Sequence, residues 1–292
     1  ESGGKTYPCP TASKDYADVP CEAPLPPMPD DGAMPDVPCK VQYAPKFSSQ
    51  QTHRVPVSSL SDAQQTEFIT AIFKMKETMS PWASDPCVPA RYHNLTWYNL
   101  IVAIHGTNWP ENSFAHMGIH FGTWHREYLW LFELGLNDVM GNPDPPLVVP
   151  YWDWTSGAQT SAMYKLFGGD GNAYADNCMT TGPFAWPLWN LTISSNAYVP
   201  ASQKQCLKRA LSQWDITNVD LMHGAHMPSM SDIANMLTVP RYDSFPWDAS
   251  ALGSISWRNI FEGFSAPNNE GDNAVINHHV FHGMHNNVHL AI

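Results

Sequence analysis

A chain of 292 residues can hold one large domain or two small ones with a real core, and a composition 43% hydrophobic, 12% aromatic and 14% charged is that of a globular protein, not a disordered one. A formal net charge of -12 argues against nucleic acid or an anionic membrane as partner, because both call for clustered Lys and Arg. No apolar run approaches the roughly 20 residues of a membrane-spanning helix.

Residues 1–53 are rich in proline and carry Cys9, Cys21 and Cys39. They read as an extended arm stapled by disulfides, without a core of its own. Residues 54–292 form the body. A helix is predicted from Ser61, where Ser61 and Gln64 can make a capping box and Phe68, Ile72 and Met75 recur at helical spacing. A second, WYNLIVAIH, runs from Trp97 to His105 and stops at Gly106. A third starts near His125 and carries Leu129, Phe132 and Leu136 on one face. Residues 141–215, full of Gly, Pro, Asn and Thr, read as loop apart from a helix around Gln203 to Ser212. A short helix around Ser231 to Leu237 and a last one from about His282 complete a mainly α protein with few strand signals and no internal repeat.

Three features point to an extracytosolic route. The chain begins at Glu1, as a processed protein would. Its six cysteines form no CxxC pair and read as disulfide partners, with fifteen connectivities open. Two sequons, at Asn94 and Asn190, are candidate glycosylation sites.

Thirteen histidines is a high count, and all but His53 follow residue 92. His285 and His289 are four apart, so on a helix both imidazoles point to one side, within reach of one ion. Such a pair is as readily a solvated helix face. His116 and His125 are nine apart and would lie on opposite faces of one continuous helix. They can share a metal only if His116 sits in a loop before the helix, for which Gly118 and Gly122 leave room. His105 could then supply a third imidazole from a neighbouring element.

The order of motifs resembles the tyrosinase family, the type 3 copper proteins that include tyrosinases, catechol oxidases and molluscan hemocyanins. IHG at 104–106 is followed by H-x4-F-x2-WHR-x-Y at 116–128, PYWDWT at 150–155, FEGF at 261–264 and HNNVH at 285–289. The resemblance covers roughly residues 54–292. It implies a four-helix bundle around a dicopper centre, with His105, His116 and His125 on the first copper and His285 and His289 on the second. Imidazole suits copper in both oxidation states, and three nitrogens per metal leave a position for dioxygen. The implied function is oxidation of phenols or o-diphenols to o-quinones with O2. Hemocyanin-like oxygen binding and a non-catalytic scaffold are the alternatives. Phe121, Trp124, Tyr128 and Trp130 are expected to keep the site dry. An Arg126–Asp153 pair, with Trp152, is expected to tie PYWDWT to the helix.

The resemblance also implies that Glu262 and Asn286 together hold a water that helps deprotonate a monophenol, though Glu262 reads equally as a structural partner. Where many relatives have a cysteine joined by a thioether to the second histidine, this chain has Phe114, and no thioether is expected. The family's next motif, an HH pair giving the sixth ligand, does not follow HNNVH. The copper domain therefore reads as incomplete at its C-terminus, with a second polypeptide segment supplying the ligand or, failing that, one of His93, His223, His226, His278, His279 and His282.

Overall fold

The computed structural model describes residues 53–85, 88–107, 115–172, 178–191, 193–194, 197–198, 206–209, 228–245, 247–248, 256–262, 274–276, 279–281 and 285. Among them the protein is mainly helical. Helix α1, Asp62–Glu77, begins as the sequence predicts: Ser61 Oγ accepts from the Gln64 amide while Gln64 Oε1 accepts from the Ser61 amide. Its buried stripe is Phe68, Ala71, Ile72 and Met75, an i, i+3, i+4, i+7 face.

That face packs on α2, Trp97–Thr107, and α3, Phe121–Val139, and the three helices pack pairwise on one another. Trp97, only 1% exposed, is pinned by its indole N–H to Asp138 at 2.8 Å, and the Tyr128 hydroxyl donates to the Ile101 carbonyl at 3.0 Å. Both bonds lock α2 to α3. The three helices approach closely at Gly135, where an added Cβ would lie 2.6 Å from Met75 Cε and 3.1 Å from Trp97 Cε3.

Helix α3 starts four residues before the position expected from apolar periodicity. Its first turn, FGTW, contains a poor helix former and His120 offers no side-chain cap, so the usual start signals are missing. Burial of Phe121 and the bond from Trp124 N to the His120 carbonyl at 2.8 Å set the start instead.

The stretch after residue 141 contains a helix that composition hides: α4, Gly157–Phe167, capped by Ser156 and seating Leu166 in the core. It ends at Gly168, whose φ of +94° and close crossing with Gly182 exclude a side chain, since a Cβ would sit 2.2 Å from the Thr181 carbonyl oxygen. The helix expected around 203–212 is not formed at residues 206–209. These are extended, bonded by backbone to Met179 and Gly171 and joined to residue 178 by the Cys178–Cys206 disulfide. Long-range pairing outweighs local propensity there.

Helix α5, Met230–Met236, falls where a short helix is expected, and α6, Trp257–Glu262, packs on both α5 and α3. Among the described residues, strand is limited to three two-stranded antiparallel pairs: Gly171–Asn172 with Cys178–Met179, Ile193–Ser194 with Ala197–Tyr198, and Ala274–Ile276 with His279–Phe281. The helix expected from His282 lies outside the described residues except for His285, as do the arm at 1–52 and Phe114.

Candidate metal centre

Three elements each deliver one imidazole to a common point. His105 comes from the last turn of α2, His116 from the turn at 115–120, and His125 from the second turn of α3. Their ring centroids are 4.9 Å apart for His105–His116, 4.9 Å for His116–His125 and 5.7 Å for His105–His125. One ring nitrogen from each lies within 4.8 Å of the other two. The nine-residue spacing works because α3 begins only at Phe121, which leaves His116 outside the helix. Neither Gly118 nor Gly122, the glycines expected to permit the reversal, takes a positive φ. The chain turns at Met117, whose φ is +59°. A left-handed conformation at a residue with a Cβ costs about 1–2 kcal/mol, so something must hold it.

Glu262 at the end of α6 supplies that hold. The Met117 N–H donates to Glu262 Oε1. The other carboxylate oxygen accepts from Arg258 Nη1 at 3.1 Å, one helical turn back. Arg258, fully buried, forks onto Asp243 through Nε to Oδ2 at 2.9 Å and Nη2 to Oδ1 at 3.1 Å, and also donates to the Asp248 carbonyl at 2.8 Å. Two carboxylates around one guanidinium, all nearly inaccessible, form an ion triad in which each charge has hydrogen-bonded partners. Burial pushes the Glu262 carboxyl up from its ordinary range, against the opposing pull of the Met117 amide and Arg258. Tyr242, next to Asp243, adds a second tie: its hydroxyl donates to the Ile119 carbonyl at 3.1 Å and accepts from Gly122 N at 3.4 Å. Sequence reading missed Met117, Tyr242, Asp243 and Arg258. The one available signal was Arg258 four residues before Glu262 in SWRNIFE, an i, i+4 pair.

The aromatic shell around the triad is partly the one expected. Phe121 lies 4.5 Å from the His125 ring, Trp124 4.9 Å from His125, and Tyr128 5.4 Å from His105, with Trp124 and Tyr128 stacked at 5.1 Å. Burial raises the Tyr128 phenol above its ordinary value, with Tyr98 adding to the effect. Trp130, in contrast, is 38% exposed and lines, with Trp82, Tyr92 and Leu131, a cavity of about 430 Å³ to which Trp124 and Tyr128 also contribute. His285 reaches the edge of the cluster, 6.2 Å from His125 and flanked by Phe121 at 5.0 Å and Phe261 at 6.4 Å. His289 and Asn286 lie outside the described residues, as do His223, His226, His278 and His282.

The expected Arg126–Asp153 tie is corrected. Arg126 and Asp153 are exposed, and Asp153 Oδ1 accepts from the Thr155 amide and hydroxyl at 3.0 and 2.6 Å. The segment before Trp152 is tied to α3 by two other residues. Glu133 Oε1 accepts from Arg54 Nε at 2.7 Å and Val149 N at 3.0 Å, and the Asn137 amide exchanges bonds with the Leu147 backbone at 2.7 and 2.8 Å. Buried side chains on the helix make the tie because an exposed pair gains little. His93 is not part of the His105–His116–His125 group, and its Nε2 sits 2.9 Å from the Asp85 and Val88 carbonyls, which accept from it.

The triad suits a metal. His125 Nδ1 donates to the Phe121 carbonyl at 2.8 Å, which places the ring's lone pair on Nε2 and orients it. Nitrogens about 2.1 Å from one tetrahedral ion are roughly 3.4 Å apart, so modest rotation of the rings closes them on a metal. An all-imidazole set fits copper or another borderline first-row ion better than calcium or magnesium.

Fold and site thus define a cluster of three histidines, two on helices and one on the turn between them, that could hold a metal ion. The sequence model of the common central domain of tyrosinase matches residues 95–292, and the chain belongs to the tyrosinase family. It is 27% identical over 214 residues to the tyrosinase of Gallus gallus, which covers 68% of this chain and 38% of that protein. It is 28% identical over 244 residues to the tyrosinase-like protein phomQ1' of Diaporthe leptostromiformis, covering 77% and 60% of the two chains. With the tyrosinase of Streptomyces lincolnensis it shares 25% over 246 residues, covering 82% and 71%. The chain therefore spans less than two thirds of the first two relatives. A polyphenol oxidase from Thermothelomyces thermophila superposes with a TM-score of 0.48 at 18% identity, covering 84% of this chain and 62% of that one.

Proposed function

We propose that the protein is a secreted type 3 copper oxidase that converts phenols or o-diphenols to o-quinones with O2. The observation that carries this reading is the convergence of His105, His116 and His125 from three elements in a chain of the tyrosinase family. These three would hold the first copper, and His285 with His289 would provide ligands of the second. When bound, the copper pair supplies the two-electron chemistry that couples O2 reduction to quinone formation. The chain's own residues orient the rings and exclude water: Phe121 O fixes His125, while Phe121, Trp124 and Tyr128 shield the triad. Glu262 and Asn286 would steady a water able to accept the phenol proton.

Secretion is supported by the Cys178–Cys206 disulfide and by exposed Asn94, a free-standing candidate for a glycan. Asn190 is half-buried and donates to the Pro187 carbonyl at 3.4 Å, so Asn94 is the better glycan acceptor of the two.

The test is copper analysis of the purified chain together with O2 uptake and quinone absorbance on 4-methylcatechol, with peptide mass analysis for a glycan at Asn94. Bound copper with quinone formation is expected. A copper-loaded protein that takes up O2 reversibly without making quinone would overturn the oxidase reading.

A further inference from the structure

We propose that Glu262 is a positioning residue for the first copper's ligand set: it clamps the Met117 amide and so fixes the turn that presents His116. This rests on the copper reading above for its metal consequence, but the clamp itself belongs to the protein without metal. Three observations carry it. His116 is 4% exposed and lies in a turn, not a helix, so no helical hydrogen-bond ladder fixes its backbone. The next residue, Met117, holds a left-handed φ of +59°, which a side chain resists. The amide of that same residue is taken by a carboxylate 145 positions away that is itself 1% exposed and anchored on a buried Arg258–Asp243 fork. A buried carboxylate accepting a backbone N–H is among the stronger hydrogen bonds a protein makes, and losing it leaves that N–H without an acceptor in a dry place. Glu262 thereby links α6 to the loop of the first site, a connection made through backbone rather than through a metal-bound ring.

Hydrogen exchange on the metal-free protein tests the clamp, and copper titration tests its consequence. In Glu262→Leu, Arg258 keeps Asp243 and the Asp248 carbonyl, so the ion triad loses one arm without stranding a charge. The Met117 amide is expected to exchange roughly tenfold faster or more, with the amides of α3 beyond Trp130 unchanged. Glu262→Gln keeps a carbonyl acceptor on a side chain of the same length and is expected to restore most of the protection. It also serves as the folded reference if the leucine variant is unstable. Affinity of the metal-free protein for its first equivalent of copper should fall at least tenfold in Glu262→Leu and recover in Glu262→Gln. Unchanged exchange at Met117 in Glu262→Leu would overturn the clamp. Faster exchange with unchanged copper affinity would overturn its positioning role. Absence of copper binding by the unsubstituted protein, with the exchange result as expected, would instead sink the copper reading alone.

Discussion

Lys76 shows at a single residue how this core trades one cost against another. It lies on the last turn of α1 with its ammonium 4.8 Å from the Tyr98 ring centre and 4.9 Å from that of Trp189. Burial lowers its pKa from 10.5 to about 8, while attraction to the two ring faces recovers part of what desolvation takes. Below pH 8 the amine is charged in both folded and unfolded chains, and folding bears the cost of hiding it. Between 8 and 10.5 the folded protein releases a proton that the unfolded chain keeps, so this residue's contribution makes stability rise with pH across that window. Lys76→Met should abolish the rise and increase stability at pH 7. Urea midpoints at pH 7 and pH 10 measure both effects, and an unchanged pH dependence would mean that the ring contacts keep the ammonium charged throughout.

At the level of elements, the packing of α3 on α1 and α2 depends on the missing side chain at position 135. Gly135→Ala would gain about 1 kcal/mol of helix propensity. The new methyl would then meet Met75 Cε at 2.6 Å and the Trp97 ring at 3.1 Å. Met75 can swing aside, whereas Trp97 is buried and tied to Asp138. Overpacking of that kind costs about 1–3 kcal/mol, so a net loss of roughly 1 kcal/mol is expected in chemical denaturation. A stabilised variant would mean that α3 can part from α2 without loss. Helix α3 also has two working ends, and position 135 lies within the second. Its N-terminal turns carry Phe121 and His125, and its C-terminal turns carry Glu133 and Asn137, which grip the backbone of 147–149. Much of this helix could be read from sequence because Leu129, Phe132 and Leu136 recur at helical spacing. Its start could not, since a Gly-containing turn without a side-chain cap resembles loop. Helix α4 was hidden likewise by Gly157 and the glycine- and threonine-rich residues around it, although Leu166 and Phe167 anchor it firmly.

For the whole molecule, metal uptake should be felt beyond the three rings. Copper binding to the native triad and not to the unfolded chain stabilises the fold by RT ln(1 + [Cu]/Kd), about 4 kcal/mol at a thousandfold excess over Kd. Removing copper with a chelator should lower Tm by several degrees and speed amide exchange in the last turn of α2 and in residues 115–125. The buried face of α1 should keep its protection. Uniform loss across all helices would show that the centre supports the fold globally instead of locally. The triad itself was legible because His105, His116 and His125 are close in sequence and fall in family motifs. The clamp was not, because a carboxylate, an arginine and an amide that meet from positions 262, 258 and 117 leave no local pattern.

That difference in separation has a kinetic meaning. Gathering His105 and His125 closes a segment of 20 residues, whereas seating Glu262 on the Met117 amide closes one of 145. The second closure costs about 1.8 kcal/mol more in chain entropy, and contacts so distant form late when a chain folds. A newly made chain would therefore gather its imidazoles first and acquire their final geometry only when α6 docks.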